Sequence, residues 1–339
     1  NKGGWRYRKG AKRRGTLNII GHLSILLQQD RKMTDHIQRA PALGALPVPP
    51  APLVGIVCGL SAAFIWGTWP VVTSIGVNAD ALTPFQLVLL RFAVAGPLLL
   101  PFAFRGNPGL KEWGQALVMM LGAGFPYSLV VSSAFEHAPA GHGGVIIPGT
   151  MLVTSLVLAH IWFGEKITRT RALGAAAIIT GLVCLAGGGM VPSLKGDLLF
   201  MAGGLMWAGY TFFVRQWPTN GLVIAARVSV LSLLLVAIGS VFGLADGITG
   251  VARETILTQG LWQGVVSAIL ALVLFNKAVG YLGTSRAATL NALIPVVAVV
   301  LSFLVLGEVP SPVELLGLVA IIGGIGVAMG VRLRRIRKP

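Results

Sequence analysis

The chain has 339 residues, 55% of them hydrophobic and only 11% charged, with a mean hydropathy of +0.80. A soluble domain carries about 25% charged residues, so a water-soluble globule is excluded and an all-α polytopic membrane protein is implied. The net charge of +16 does not call for nucleic acid: 10 of the 27 basic residues lie in residues 1–39, and most others fall in short loops on one predicted side of a membrane.

Residues 1–52 read as a basic, Pro-rich, disordered arm. "NKGGWRYRKGAKRRG" has no acid, "LNIIGHLSILLQ" is too short to span, and the first methionine is Met33. A native start at Met33 is expected, with residues 1–32 as upstream sequence; a presequence or a basic arm on anionic lipid are the other readings. "APALGALPVPPAP" (40–52) leads into the first apolar run.

From there, loop signals divide the chain into ten segments, each near the ~20 residues needed to cross a bilayer as a helix. They are 53–76, 84–104, 112–135, 143–163, 170–189, 196–215, 221–243, 256–280, 286–306 and 313–331. An even number puts both termini on one side. If that side is the cytoplasm, its loops hold Arg105, Lys111, Lys166, Arg169, Arg171, Arg215, Arg286 and the basic tail 332–339. The outer loops hold Lys195 and Arg253, and gather Asp80, Asp197, Asp246, Glu254, Glu308 and Glu314. Cytoplasmic loops of membrane proteins carry the excess of Lys and Arg, so both termini are expected inside.

After the fourth segment the chain reads "GEKITRTRALG" (164–174), and 143 residues later, after the ninth, "GEVPSPVELLG" (307–317). Gly174 and Gly317, Ile178 and Ile321, and Gly181 and Gly324 share that offset. "FIWGTW" (64–69) and "LMWAGYTF" (205–212) begin the two halves alike, and "LLRFAVA" (89–95) has a weaker partner in "AARVSVL" (225–231). The halves are therefore 53–189 and 196–331, with five segments each. Five is odd, so the second half enters the membrane inverted relative to the first, an arrangement tied to alternating access.

Trp-Gly in the first segment, "LLRF" in the second, and Glu-x-x-Thr/Ser followed by "LG" and "IIxG" after segments four and nine resemble the EamA-type proteins of the drug/metabolite transporter superfamily. The resemblance spans about residues 53–331. It implies a carrier of the bacterial cytoplasmic membrane, often an exporter of amino acids or other small metabolites, with a central cavity between the halves. It names no substrate.

Polar and aromatic residues inside spans are costly unless they face a partner or a cavity. Trp66, Trp69 and Thr73 share a helical face, as do Trp207, Tyr210 and Thr211; both sets are read as cavity lining, with an interfacial aromatic stripe as the other reading. Arg91, inside the second segment, needs a carboxylate, carbonyls or a substrate anion, or serves as a packing anchor. Arg227 is expected to snorkel. Tyr127, Asn276 and Asn291 could meet a polar substrate. Pro126, Pro148 and Pro295 are expected to break helices, and Glu165 and Glu308 to cap the helices that follow them. "EHAPAGHGG" (136–144) is read as an outer loop rather than a metal site, and Cys58 and Cys184 as small buried residues.

No nucleotide-binding loop and no cluster of catalytic type is present, and every Asp and Glu falls at a span end or in a loop, so no proton relay is legible. No cofactor is expected. A carrier is favoured over a channel, a structural bundle or a membrane enzyme. The expected partners are a small-molecule substrate, the lipid bilayer and, as an open possibility, a second copy of the chain in a homodimer.

Overall fold

The computed structural model describes residues 52–78, 82–188, 193–217, 220–282, 287 and 290–328. The N-terminal arm, the expected start at Met33, the basic tail, Asp80 and Arg286 lie outside these residues.

Among the described residues the chain is all-helical. Helices occupy each stretch marked by an apolar run: α1 Pro52–Asn78, α2 Pro84–Ala103, α3 Leu110–Ala134, α4 Ala140–Phe163, α5 Arg169–Gly188, α6 Leu194–Gln216, α7 Gly221–Val241, α8 Arg253–Leu282, α9 Asn291–Leu306 and α10 Pro312–Ala328. By length and composition, α1, α2, α3, α4, α6, α7 and α8 can cross a membrane, and α9 and α10 are shorter apolar helices.

The helix ends follow from local chemistry. Thr83 caps α2 reciprocally with Gln86: the Thr83 hydroxyl accepts from Gln86 N at 3.2 Å, and the Gln86 carbonyl oxygen accepts from Thr83 N at 2.9 Å. Pro84 then starts the helix with its φ already helical. The repeated glycines Gly164 and Gly307 end α4 and α9 at φ 65° and 68°, the left-handed region that a side chain resists. At Gly124 the ladder of α3 breaks ahead of Pro126, and Phe125 N donates instead to Ser232 Oγ of α7 at 2.9 Å.

Two sequence readings need correction here. α4 continues through Pro148 without a break, because a continuous helix satisfies every backbone group except the one the proline removes. And "EHAPAGHGG" is not wholly loop: Pro139 is the N-cap of α4, and residues 140–144 are its buried first turn. The glycines serve close packing there, since a Cβ on Gly144 would overlap Ala298 and one on Gly143 would press on Phe200 and Phe135.

The packing repeats under an exchange of halves. α1 lies against α8 as α6 lies against α3, and α4 against α6 as α9 against α1; α2 pairs with α7, α4 with α9 and α5 with α10. The paired equivalents run antiparallel. Gly174 meets Gly324 while Gly181 meets Gly317, and Phe85 meets Gly239 while Gly96 meets Leu233. Outside, Phe64, Leu98, Leu205, Leu234 and Leu316 are each more than half exposed, an apolar exterior suited to hydrocarbon rather than water.

Candidate functional site

A cavity of about 580 Å³ lies among helices of both halves, lined from α1, α2, α3, α4, α6, α7, α8, α9 and α10. Of the residues that the sequence marks, it brings together Trp66, Trp69, Arg91, Tyr127, Pro148, Trp207, Tyr210, Asn291 and Pro295. Asn276 is exposed and Pro126 is not on the wall. The neighbour of Asn276, Phe275, faces the cavity, and one residue along a helix turns the side chain away by about 100°.

Aromatic rings form much of the wall. Tyr127 and Trp207 pack with centroids 5.0 Å apart, Trp207 and Tyr210 at 5.5 Å, and Trp66 and Phe275 at 5.5 Å. Thr73 stays off the wall; its hydroxyl receives Gln263 Nε2 at 3.1 Å. Gln263, which carried no signal in the sequence, is a buried junction in a π-helical stretch of α8, Leu261–Leu270. Its Oε1 accepts from Trp69 Nε1 at 2.7 Å and from Arg91 Nη1 at 3.5 Å. Such π-helical stretches are frequent at functional sites, because the widened turn re-aims side chains.

Three prolines on the wall have consequences for its polarity. Pro70, Pro148 and Pro295 lack the N–H that would engage the carbonyls of Trp66, Gly144 and Asn291 four residues before them, and all six residues line the cavity. The Asn291 carbonyl accepts instead from Ile294 N, in a 3-10 turn at the start of α9.

A second polar cluster gathers where α4, α6 and α10 begin. His142 Nδ1 lies 2.9 Å from Asp197 Oδ1, His142 Nε2 lies 3.8 Å from Glu314 Oε1, and Ser193 Oγ donates to Asp197 Oδ2 at 3.0 Å. His142 and Asp197 are buried. The Glu308 carboxylate accepts from Ala140 N at 2.9 Å and Gly141 N at 3.2 Å, and from the Ser302 hydroxyl. Glu308 thus caps α4 from the other half of the chain rather than α10, which Ser311 and Glu314 cap reciprocally. Burial pushes the Glu308 carboxyl above the usual carboxylate range; the two backbone N–H groups and His142 oppose the shift. A space of about 500 Å³ adjoins this cluster.

Glu165, the equivalent of Glu308, has different partners: Arg215 Nη1 at 2.6 Å and Arg171 Nη1 at 3.6 Å. It makes an ion pair with the end of α6 rather than capping α5. Arg227 does not snorkel. It is buried, and its guanidinium donates to Ala103 O at 3.0 Å and Arg105 O at 3.1 Å, which terminates α2 with a charge that the carbonyl ends of a helix favour. Cys58 and Cys184 are half-buried free thiols.

Long apolar helices, an apolar exterior and an interior cavity shared by two like halves define a multi-pass membrane protein of transporter type. The chain belongs to the EamA-like transporter family, whose model matches residues 53–187 and 194–330. It is 26% identical to the "Probable amino-acid metabolite efflux pump" of Salmonella typhimurium, over 80% of this chain and 93% of that protein. It is 27% identical to the "Uncharacterized inner membrane transporter YedA" of Escherichia coli, over 80% of this chain and 88% of that one. A solved crystal structure aligns with a TM-score of 0.55 at 22% identity, covering 81% of this chain and 96% of that chain, which shows the shared fold.

Proposed function

We propose that the protein is a secondary transporter of the bacterial inner membrane, with ten membrane spans in two inverted halves, that exports small metabolites, amino acids or related compounds, by alternating access. The observation that carries this reading is the cavity whose wall is drawn from both halves while their equivalent helices run antiparallel. A rocking of one half against the other would then expose one site to each side in turn. The efflux and inner-membrane names of the two relatives support the direction and the location.

With both termini inside, as the loop charges favour, the His142–Asp197–Glu314 cluster and Glu308 stand at the outer end. The contacts of His142 with Asp197 and Glu314, and of Glu308 with Ala140 and Gly141, join one half to the other, so they act as a latch on an outer-closed form.

Counterflow in proteoliposomes tests the reading. Vesicles loaded with an unlabelled mixture of amino acids should accumulate a labelled member of that mixture transiently and saturably. Linear, non-saturable flux would instead mark a channel, and no flux across a metabolite panel would remove the transport assignment.

A further inference from the structure

Arg91 carries a permanent charge on the cavity wall, and no Asp, Glu, Lys or His shares that wall among its described lining residues. A guanidinium has five N–H donors and no acceptor. Arg91 spends one of them on a neutral oxygen, Gln263 Oε1, at the long distance of 3.5 Å, and its buried Nε has no partner. The rings of Trp69 and Phe92 lie 6.0 Å and 5.9 Å from the guanidinium carbon, and neither supplies a lone pair. No ion pair forms with Arg91 among the described residues.

This is unlike the other buried arginine. Arg227 directs its donors to two backbone carbonyls at a helix end, as a residue with a packing role does. Charge in a low-dielectric site is costly unless it is paired and hydrogen-bonded, so Arg91 is an uncompensated positive corner in a chamber whose other polar side chains, such as Thr211, Ser229 and Asn291, are neutral. Gln263 holds it in place, and is itself fixed by Trp69 and Thr73.

Resting on the transport reading of the same cavity, we infer that Arg91 is the specificity-determining residue of the site and that the cargo carries a carboxylate, with an apolar or aromatic body. The carboxylate takes the free guanidinium donors, in the fork geometry that Arg presents to planar oxyanions. The body lies against the rings of Trp66, Tyr127, Trp207 and Phe275, whose flat faces bury apolar surface with little side-chain entropy lost. The chamber thereby discriminates on charge: a neutral isostere leaves the guanidinium unpaired, and a purely cationic solute meets its repulsion.

Three probes of one shape separate these cases: 3-phenylpropionate, 3-phenylpropionamide and 3-phenylpropylamine. Their binding to the full chain in lipid nanodiscs is read by tryptophan fluorescence quenching, since Trp66, Trp69 and Trp207 line the site. The acid should bind at least tenfold more tightly than the amide or the amine. Arg91→Gln should bring the acid and the amide within about twofold, while Arg91→Lys should keep a preference for the acid, weakened by loss of the fork. Equal binding of acid and amide by the parent protein, no binding of the acid at all, or a preference that survives Arg91→Gln would each overturn the inference. The parent comparison stands even if a variant fails to fold. Counterflow separates the two readings: acid binding without counterflow keeps the carboxylate site and removes the transporter, whereas counterflow with no preference for the acid does the reverse.

Discussion

Gly181 and Gly317 face each other across the α5–α10 contact: a Cβ on Gly181 would lie 2.5 Å from the Gly317 carbonyl oxygen, and one on Gly317 would lie 2.9 Å from that of Gly181. One helical stretch along, Gly174 and Gly324 repeat the relationship at 2.6 and 2.7 Å. Without a side chain at these points the two backbones approach closely enough for extensive van der Waals contact, the main source of helix association in lipid.

The close approach predicts a steric penalty that is local to this seam. Gly181→Val should destabilise the protein by about 1–3 kcal/mol, the usual cost of overpacking. Gly323→Val is the control, since a Cβ there meets nothing within 4 Å. Thermal unfolding in detergent checks this; equal melting temperatures for the two variants would remove the seam from the account of stability.

Trp66 and Trp207 stand on opposite halves and share the cavity wall. Trp66→Ala and Trp207→Ala should each reduce the rate of counterflow while leaving membrane insertion and yield unchanged. Parent-like kinetics in both variants would show that the cargo does not pass this wall.

Burial raises the Glu308 carboxyl above its ordinary value of 4.5, so Glu308, engaged with the start of α4, binds a proton more tightly than a water-exposed Glu does. Its stabilising effect on that end is therefore present at low pH and fades as the pH climbs through the raised value. The other titratable groups at the cluster are His142 on α4, Asp197 on α6 and Glu314 on α10. Acidification should slow the labelling of a cysteine placed at the buried Leu318 relative to one at the exposed Val309, in a chain lacking Cys58 and Cys184; the ratio cancels the fall in thiolate with pH. Glu308→Gln should flatten the dependence and His142→Gln should not. A dependence that persists in Glu308→Gln and vanishes in His142→Gln would transfer the role to the histidine.

Arg227 predicts a cost without a functional signature. Arg227→Met fills the space but removes two charge-assisted hydrogen bonds to the end of α2, each worth about 1.5–3 kcal/mol. The melting temperature should fall, with the affinity for 3-phenylpropionate unchanged in whatever fraction folds. Weakened binding in the folded fraction would give Arg227 itself a role at the cavity.

Much of the site was legible because membrane burial makes polar and aromatic residues conspicuous. Trp66, Trp69, Arg91, Trp207 and Tyr210 stood out inside apolar runs, and the cavity collects them. Asn276 stood out by the same logic and is exposed, since periodicity marks a face without saying which neighbour covers it. Gln263 went unnoticed because a lone amide between Trp262 and Gly264 has no pattern; its importance lies in Trp69, Thr73 and Arg91, which are 172 to 194 residues away in the chain. Glu308 was assigned to the helix beside it, because sequence logic sees only local caps.

Hydropathy, loop charge and a motif written twice at a fixed offset are properties of segments, and segments are local. They determined the helical class, the positions of the helices and the existence of two like halves. Tertiary structure alone decided where His142, Asp197, Glu308 and Glu314 belong. Read in line they are span ends and loops, scattered over more than 170 residues. Folded, they form one cluster between the halves, with His142 and Asp197 buried and the two glutamates half-buried, because the start of α4 is brought against those of α6 and α10 and its first turn is capped by Glu308. Hydrogen-bond partners and the exclusion of water depend on which helix ends meet in space, and a one-dimensional pattern carries no record of that.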